Sequence, residues 1–330
     1  MILFVVNDAG PAKYLSYIAQ SLKNEKYKCI VSDISKRVFS NININCLDSI
    51  DNFDTKDIDV IITGTCLNDG IDKEAVRIGK KEGIKTISII EHWSLYKKRF
   101  ELNGQYMYPD MIFVNDNKAK EEAEVDGLPG DKLHIVGNPV LENMTRNDYT
   151  NNVELEWRDS FGFGKRRKII TFISESFKDD FQENSPEFQG FDEFDVLNDI
   201  FEALNDESIL IVKLHPAESR NKYDFLTKNS NIFVVGDTDI NKLIEFSDIL
   251  IGMGSMLLME ASIIKNTVYS YRPNETIEFI GNKNGMVKKI HNKMELKERL
   301  SNYEIENFSV TNNIFSGSTR NIVNLIQKSL

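Results

Sequence analysis

The chain has 330 residues, 41% of them hydrophobic and 28% charged, which suits a globular protein with cores for about two domains. Its 51 acidic residues outweigh 40 basic ones, for a net charge of −11. That balance excludes a broad electrostatic grip on nucleic acid or anionic lipid, but leaves room for a local basic pocket around one anionic small molecule.

The opening run, residues 2–6, is apolar but stops at Asn7-Asp8, without the basic start and length of a signal peptide, so it reads as a first strand. Pro11 suits the first turn of a helix reaching about residue 23. Residues 29–32 and 59–63 are further strands, and a helix near 72–82 is stopped by Gly83. Strands at 84–90 and 110–114, a charged helix at 118–125 and a strand at 132–136 lead to Gly137-Asn138-Pro139. Apolar runs alternating with amphipathic helices imply βα units on a parallel sheet. The pattern weakens over the polar, Asn-rich residues 142–164, read as a domain boundary between an N-terminal domain (1–145) and a C-terminal one (160–330).

A second series begins with a strand at 168–174. A polar, acid-containing loop over 174–190 and a helix over 191–205 precede strands at 209–214, 231–235, 248–251 and 267–271. The last helix, 318–330, is amphipathic and fits either domain. Cys29, Cys46 and Cys66 are widely spaced, with no C-x-x-C pair, as expected of free thiols in a reducing compartment. No apolar stretch approaches the ~18 residues needed to cross a bilayer. The expectation is a cytoplasmic α/β protein without an integral membrane segment, built as two Rossmann-like domains with parallel sheets facing a central cleft.

Candidate chemistry sits at the C-terminal ends of the strands. Gly252-Met253-Gly254-Ser255 reads as a glycine turn between a buried strand and a helix, with Ser255 as N-cap and backbone N–H groups open to a phosphate. Glu260 lies in the second turn, within reach of a sugar hydroxyl; the plainer reading is an acid complementing the helix dipole. Lys213-Leu214-His215-Pro216 puts Lys213 and His215 on one side of a strand end, fit to bind a diphosphate or stabilise a leaving group, or else to serve as a solvated lysine and a turn histidine. Ser174 offers a hydroxyl to phosphate. In the first half, Glu91-His92-Trp93 places His92 as a general base with a pKa near working pH and Trp93 as a stacking surface, against a capping histidine and a packing aromatic. Asn7-Asp8-Ala9-Gly10 offers Asp8 as an alternative base or a turn-forming residue, with Gly10 in the same binding loop. The basic run Lys165-Arg166-Arg167-Lys168 reads as a solvated face, His134 and His291 as structural. No spacing matches a metal site, and no cofactor is expected.

Several of these motifs resemble those of the GT-B superfamily: nucleotide-sugar glycosyltransferases, UDP-N-acetylglucosamine 2-epimerases and CDP-glycerol glycerophosphotransferases. Val136-Gly137-Asn138-Pro139 is similar to the segment closing the N-terminal domain of many GT-B transferases. Lys213-Leu214-His215-Pro216 resembles the strand-end motif of glycerophosphotransferases and capsule transferases. Residues 247–260 resemble the donor-binding loop and helix, which implies that Gly254 and Ser255 contact phosphate and Glu260 holds the ribose. The epimerases' histidine–arginine pair has no counterpart in residues 174–177. Residues 91–100 resemble a histidine–tryptophan segment of surface-polysaccharide proteins. The resemblance therefore implies a metal-independent glycosyltransferase, with a nucleotide-sugar donor and a saccharide or lipid-linked acceptor. An epimerase or hydrolase, a glycerophosphotransferase, or a nucleotide-binding partner protein without turnover are the alternatives.

Overall fold

The computed structural model describes residues 1–22, 25–40, 44, 46–47, 55–145, 149–163, 167–180, 188–216, 218–226, 228–265, 267–301 and 314–330. Residues 165 and 166 of the basic run, and 181–187 of the acid-containing loop, lie outside the described residues. The chain divides into two compact units, Met1–Asn143 with Asn312–Leu330, and Met144–Thr311.

The first unit opens with β1 (Ile2–Val6), α1 (Ala9–Ser21), β2 (Tyr27–Val31), α2 (Asp33–Ser40) and β3 (Cys46–Leu47). It continues with β4 (Val60–Thr63), α3 (Ile71–Glu82), β5 (Lys85–Ile89), the hairpin of β6 (Glu101–Leu102) and β7 (Gln105–Tyr106), β8 (Met111–Val114), α4 (Asn117–Val125), β9 (Leu133–Ile135) and α5 (Pro139–Glu142). Its seven-stranded sheet has the order β3-β2-β1-β4-β5-β8-β9, with every neighbouring pair parallel. β1 and β4 are buried along their whole length, because helices cover both faces of a parallel sheet. α1 turns Ala12, Leu15, Ile18 and Ala19 onto one face at helical spacing. α3 ends at Gly83, whose φ of 72° is the left-handed stop expected there.

The second unit contains α6 (Asn151–Ser160), β10 (Ile169–Ile173), α7 (Phe177–Asp180), α8 (Glu193–Ala203), β11 (Ile209–Lys213), β12 (Ile232–Val235), α9 (Ile240–Phe246) and β13 (Ile249–Gly252). After these come α10 (Met256–Ser262), β14 (Val268–Tyr271), α11 (Ile280–Lys283), β15 (Lys288–Ile290) and α12 (Lys293–Ser301). The six strands run in the order β12-β11-β10-β13-β14-β15, again all parallel. Alternate residues of β10 serve two cores. Ile170 and Phe172 pack with α8 and α12 through Val196, Leu197, Ile200 and Leu296, and Ile169 packs with Trp157, Phe163, Leu243 and Phe246.

The units divide between Asn143 and Met144, and the polar stretch 142–164 also carries a helix that its composition did not announce. That stretch carries α6, and Trp157 anchors it against Phe246 and Phe163, with ring centroids 5.4 and 6.1 Å away. Val153, Leu155 and Trp157 are its apolar residues, set among acids and asparagines, too sparse a stripe to read as a helix.

The chain ends in the first unit with α13 (Ser318–Gln327), whose Ile322 and Ile326 join the core beside α1. Glu142 at the end of α5 caps it, accepting from Gly317 N at 2.6 Å, Thr319 N at 2.7 Å and Thr319 Oγ1 at 2.6 Å. These are charge-assisted bonds at a helix start. Gly137, at φ 90°, allows the approach: a Cβ there would lie 1.9 Å from Ser318 Oγ. Tyr14 Oη donates to its carbonyl at 3.0 Å. Gly137→Ala should therefore lower unfolding stability by more than about 2 kcal/mol, combining left-handed strain with a steric clash, as measured by urea denaturation.

Candidate functional site

Because all strands of a sheet run the same way, their C-terminal ends emerge on one edge. In each unit the chain steps outward from a central strand and then resumes on its other side, at β1/β4 and at β10/β13. Open parallel sheets take their ligands beside such switch points. Within the first unit this edge carries Asp8 and Gly10 after β1 and His92 after β5. Within the second it carries Ser174, Lys213, His215, Gly254 and Ser255.

In the first unit, Asp8 occupies the N-cap position of α1, yet its carboxylate caps nothing. Asn7 Nδ2 donates to Asp8 Oδ1 at 2.8 Å. A Cβ added to Gly10 would lie 3.1 Å from Glu91 Oε1, so the glycine lets that carboxylate approach α1. Glu91 Oε2 is buried and has no hydrogen-bond partner among the described residues; burial raises its pKa, while the Arg99 charge opposes the rise. Asp72 is 1% exposed, and its Oδ1 accepts from Cys66 Sγ at 3.0 Å and Lys73 N at 2.9 Å. Its Oδ2 is likewise without a partner among the described residues, and burial pushes its pKa upward. Sequence reasoning passed over both acids. Their signal was an acid two residues after β5 and another in the first turn of α3.

His92 departs from the expected near-neutral base. Burial, helped by the Arg99 charge, lowers its pKa from 6.5 to about 3, so the ring is neutral at physiological pH and a weak proton acceptor. Its Nδ1 pairs with Ser94 Oγ at 2.9 Å. Trp93 is not a stacking surface: it is 4% exposed, its Nε1 donates to Asp116 Oδ2 at 2.8 Å, and it meets Phe315 edge-on. Arg99 ties the same loop down, donating to Ser94 O at 3.1 Å and Thr65 O at 3.3 Å. Leu95 carries the strain of this tight course at φ 52°. Asn115 Nδ2 and Asn138 Nδ2 reach the Glu91 carbonyl at 2.9 and 3.5 Å, which gives the Gly137-Asn138-Pro139 motif a role in bracing the loop.

In the second unit, a side chain at Gly252 would lie 3.1 Å from Ile173 O, so the neighbouring strand end demands glycine. Ser255 is the N-cap of α10, accepting from Leu257 N at 3.2 Å. Glu260 is half-buried in the second turn of the same helix. The residue sequence reasoning missed is Glu175. Its Oε2 accepts from Gly254 N at 2.7 Å. Burial pushes its carboxyl from 4.5 up to about 7, opposed by the Gly254 amide, the Arg272 charge and the amides of Met253 and Ser255.

Ser174 is corrected as a phosphate contact. It is 1% exposed, and its hydroxyl bonds Glu218 Oε1 at 2.8 Å and Tyr223 Oη at 2.6 Å. Lys222 joins this network, pairing with Glu193 and, at 2.7 Å, with Glu218. Lys213 is nearly buried, and its Nζ donates to the Leu214 carbonyl at 2.5 Å; burial lowers its pKa. His215 is exposed, and its backbone N donates to Glu218 Oε2 at 2.6 Å. Among the described residues, no group of three or more His, Cys, Asp or Glu is arranged to hold a metal ion, and no helix is long and apolar enough to cross a membrane.

No protein-family model matches the chain, and no curated protein does. Solved structures do. The UDP-GlcNAc 2-epimerase of Methanocaldococcus jannaschii, in complex with UDP-GlcNAc and UDP, is 14% identical with a TM-score of 0.68, each chain covered to 99%. Anabaena HepE in complex with UDP-glucose is 10% identical with a TM-score of 0.70, both chains covered fully at 100%. A glycosyltransferase from Rickettsia africae is 14% identical with a TM-score of 0.62, over 99% of this chain and 92% of its own. The chain thus has the GT-B fold, with two Rossmann-like parallel-sheet units.

Glu175 makes stability depend on pH. Its folded pKa lies above the unfolded value, so its contribution is complete below about pH 4.5 and is lost as pH rises through about 7. Glu175→Gln should match the wild type near pH 4 and exceed its unfolding stability by about 1–3 kcal/mol near pH 8.5. Urea titrations at the two pH values measure the difference.

Proposed function

We propose that the protein is a metal-independent glycosyltransferase that moves a sugar from a nucleotide-sugar donor to a saccharide or lipid-linked acceptor in surface polysaccharide synthesis. The observation that carries this reading is the Gly252–Ser255 turn, whose backbone N–H groups converge on an anionic group at a switch point of the second sheet. The UDP-sugar complexes among the structures of the same fold support it. In this reading the second unit holds the donor: Gly254 and Ser255 receive the diphosphate, Glu260 the ribose, and His215 the charge that develops on the leaving group.

The first unit supplies the base. Asp8 suits that role better than His92, because its carboxylate is not used as a cap and the histidine is too weakly basic. Asp8 takes the acceptor hydroxyl proton, the acceptor oxygen bonds to the anomeric carbon, and the bond from that carbon to the phosphate oxygen breaks. The electron pair leaves with the nucleoside diphosphate. His92 and Gly10 then shape the acceptor's surroundings. A second reading, a nucleotide-sugar 2-epimerase or hydrolase, is favoured by the epimerases that share the fold. It requires no acceptor.

A thermal-shift screen against UDP-, GDP-, CDP- and CMP-linked sugars should give a rise in unfolding temperature with at least one of them. Following that sugar by NMR, with and without oligosaccharide or polyprenyl-phosphate acceptors, separates the readings. Product formed only with acceptor supports transfer; an epimer or free sugar formed without one supports the second reading. Glu260→Ala should weaken nucleotide affinity by roughly ten- to a hundredfold in calorimetry while the fold persists.

Asp8→Asn should lower kcat by about a hundredfold or more and leave donor affinity nearly unchanged. His92→Ala should cost much less. The low pKa of His92 further predicts that kcat/KM has no limb assignable to a histidine near pH 6.5, which a pH–rate profile in both variants checks.

A further inference from the structure

The seven-stranded sheet ends on β3, a two-residue edge strand that sets one cysteine opposite another. β2 and β3 pair in parallel, Cys29 with Cys46 and Ile30 with Leu47. Neighbouring strands lie about 4.8 Å apart, so directly paired Cα atoms fall inside the roughly 4.4–6.8 Å that a disulfide spans. Such a pair puts both side chains on one face of the sheet, and here that face is the core beside α1. Cys29 is buried in it, and Cys46 packs on its margin with Tyr27, Val38 and Ile44. An edge strand held through so few residues can take up the small shift that brings two sulfurs to bonding distance.

The two thiols are not equivalent. They share a hydrogen bond, which together with burial raises the Cys29 pKa far above the ordinary thiol value, so Cys29 keeps its proton. Cys29 is 1% exposed, whereas Cys46 is half-buried, its Sγ 3.7 Å from the Ile44 carbonyl. Tyr27, whose phenol pKa is raised by burial and by both sulfurs, is a third titratable group beside the pair. An oxidant arriving from solvent meets Cys46 first and finds Cys29 behind it. Cys66, by contrast, is buried and spends its S–H on Asn68 O at 2.9 Å and Asp72 Oδ1 at 3.0 Å.

We propose that Cys29 and Cys46 form a reversible oxidation site for hydrogen peroxide, in which an intrachain disulfide staples β3 to the sheet. The Cys46 thiolate attacks one peroxide oxygen: the S–O bond forms, the O–O bond breaks, and hydroxide leaves, taking up a proton to become water. The Cys29 sulfur then attacks the resulting sulfenic sulfur. The S–S bond forms, the S–O bond breaks, and the hydroxyl departs with the Cys29 proton as a second water. The two sulfurs lose two electrons and the peroxide gains them, so two thiols and one hydrogen peroxide give a disulfide and two waters. A dithiol reductant reverses the step by exchange. The staple closes the crossover of residues 30–45, which includes α2. Ser35 of α2 donates to Asn7 O at 2.8 Å, one residue before Asp8, so oxidation stiffens a support of the loop that carries Asp8.

The test treats the full chain with a small excess of hydrogen peroxide, alkylates the remaining thiols under denaturing conditions and digests without reduction. Mass spectrometry should find Cys29 cross-linked to Cys46, with Cys66 alkylated, and dithiothreitol should abolish the cross-link. The unfolding midpoint should rise by roughly 5 °C or more on oxidation and return on reduction, because closing a loop of this length constrains the unfolded chain. Cys46→Ser should lose both the cross-link and the rise. Cys29→Ala should leave a sulfenic acid at position 46 that dimedone traps. Midpoints of the untreated variants confirm that both are folded. Recovery of Cys29 and Cys46 as alkylated thiols after peroxide overturns the inference, as does a cross-link through Cys66 or between two chains. A dimedone adduct at Cys29 in Cys46→Ser, or a disulfide that leaves the midpoint unchanged or lower, overturns it as well.

Discussion

Parallel pairing is the constraint from which the rest of the molecule follows. A parallel strand cannot be joined to its neighbour by a tight turn, so each connection crosses a face of the sheet and buries it. That is why β1, β4, β10 and β13 are buried throughout and read as runs that are apolar but for Thr63 and Thr171. It is also why the polar chemistry is confined to a few residues past the strand ends. Glu175 meets Gly254, and Asn138 and Asn115 meet Glu91, because strands laid in one direction bring distant turns side by side.

At those ends, burial decides which polar groups remain available. Ser174 is consumed by Glu218 and Tyr223, Lys213 by the next carbonyl, and Trp93 by Asp116. Among the described residues, Asp72, Glu91 and Glu175 have raised pKa values because desolvation outweighs the partners they have. The same desolvation drives His92 the other way and makes it neutral. Glu175, pushed up to about 7, therefore exchanges its proton in the range where a histidine would be the usual choice.

The long elements were legible in the sequence because their periodicity is unambiguous, and the Gly83 stop and the Ser255 cap follow from local backbone chemistry. β3 and β15 were not: Cys46–Leu47 is two residues long, and Lys288–Ile290 is an edge strand rich in lysine, as edges that must resist further pairing tend to be. α6 hid in a polar stretch where only Val153, Leu155 and Trp157 are apolar. At the site, residues next to glycine turns could be located from spacing, but their occupation could not. Whether Ser174 faces outward or into a network depends on Tyr223, 49 positions later. Glu175 acquires its partner from a turn 79 positions away, a relation that only the strand register supplies.

The placement of α13 bears on how the protein is made. Its Ile322 and Ile326 complete the core that starts with β1, although the whole second unit is encoded between them. On the ribosome, Met144–Thr311 emerges and can fold as a unit while the first sheet still waits for its last helix. Until then the apolar flank of α1 is uncovered and Glu142 has no amides to cap. The core of the first unit is therefore complete only when Ile322 and Ile326 have been made, after every residue of the second unit.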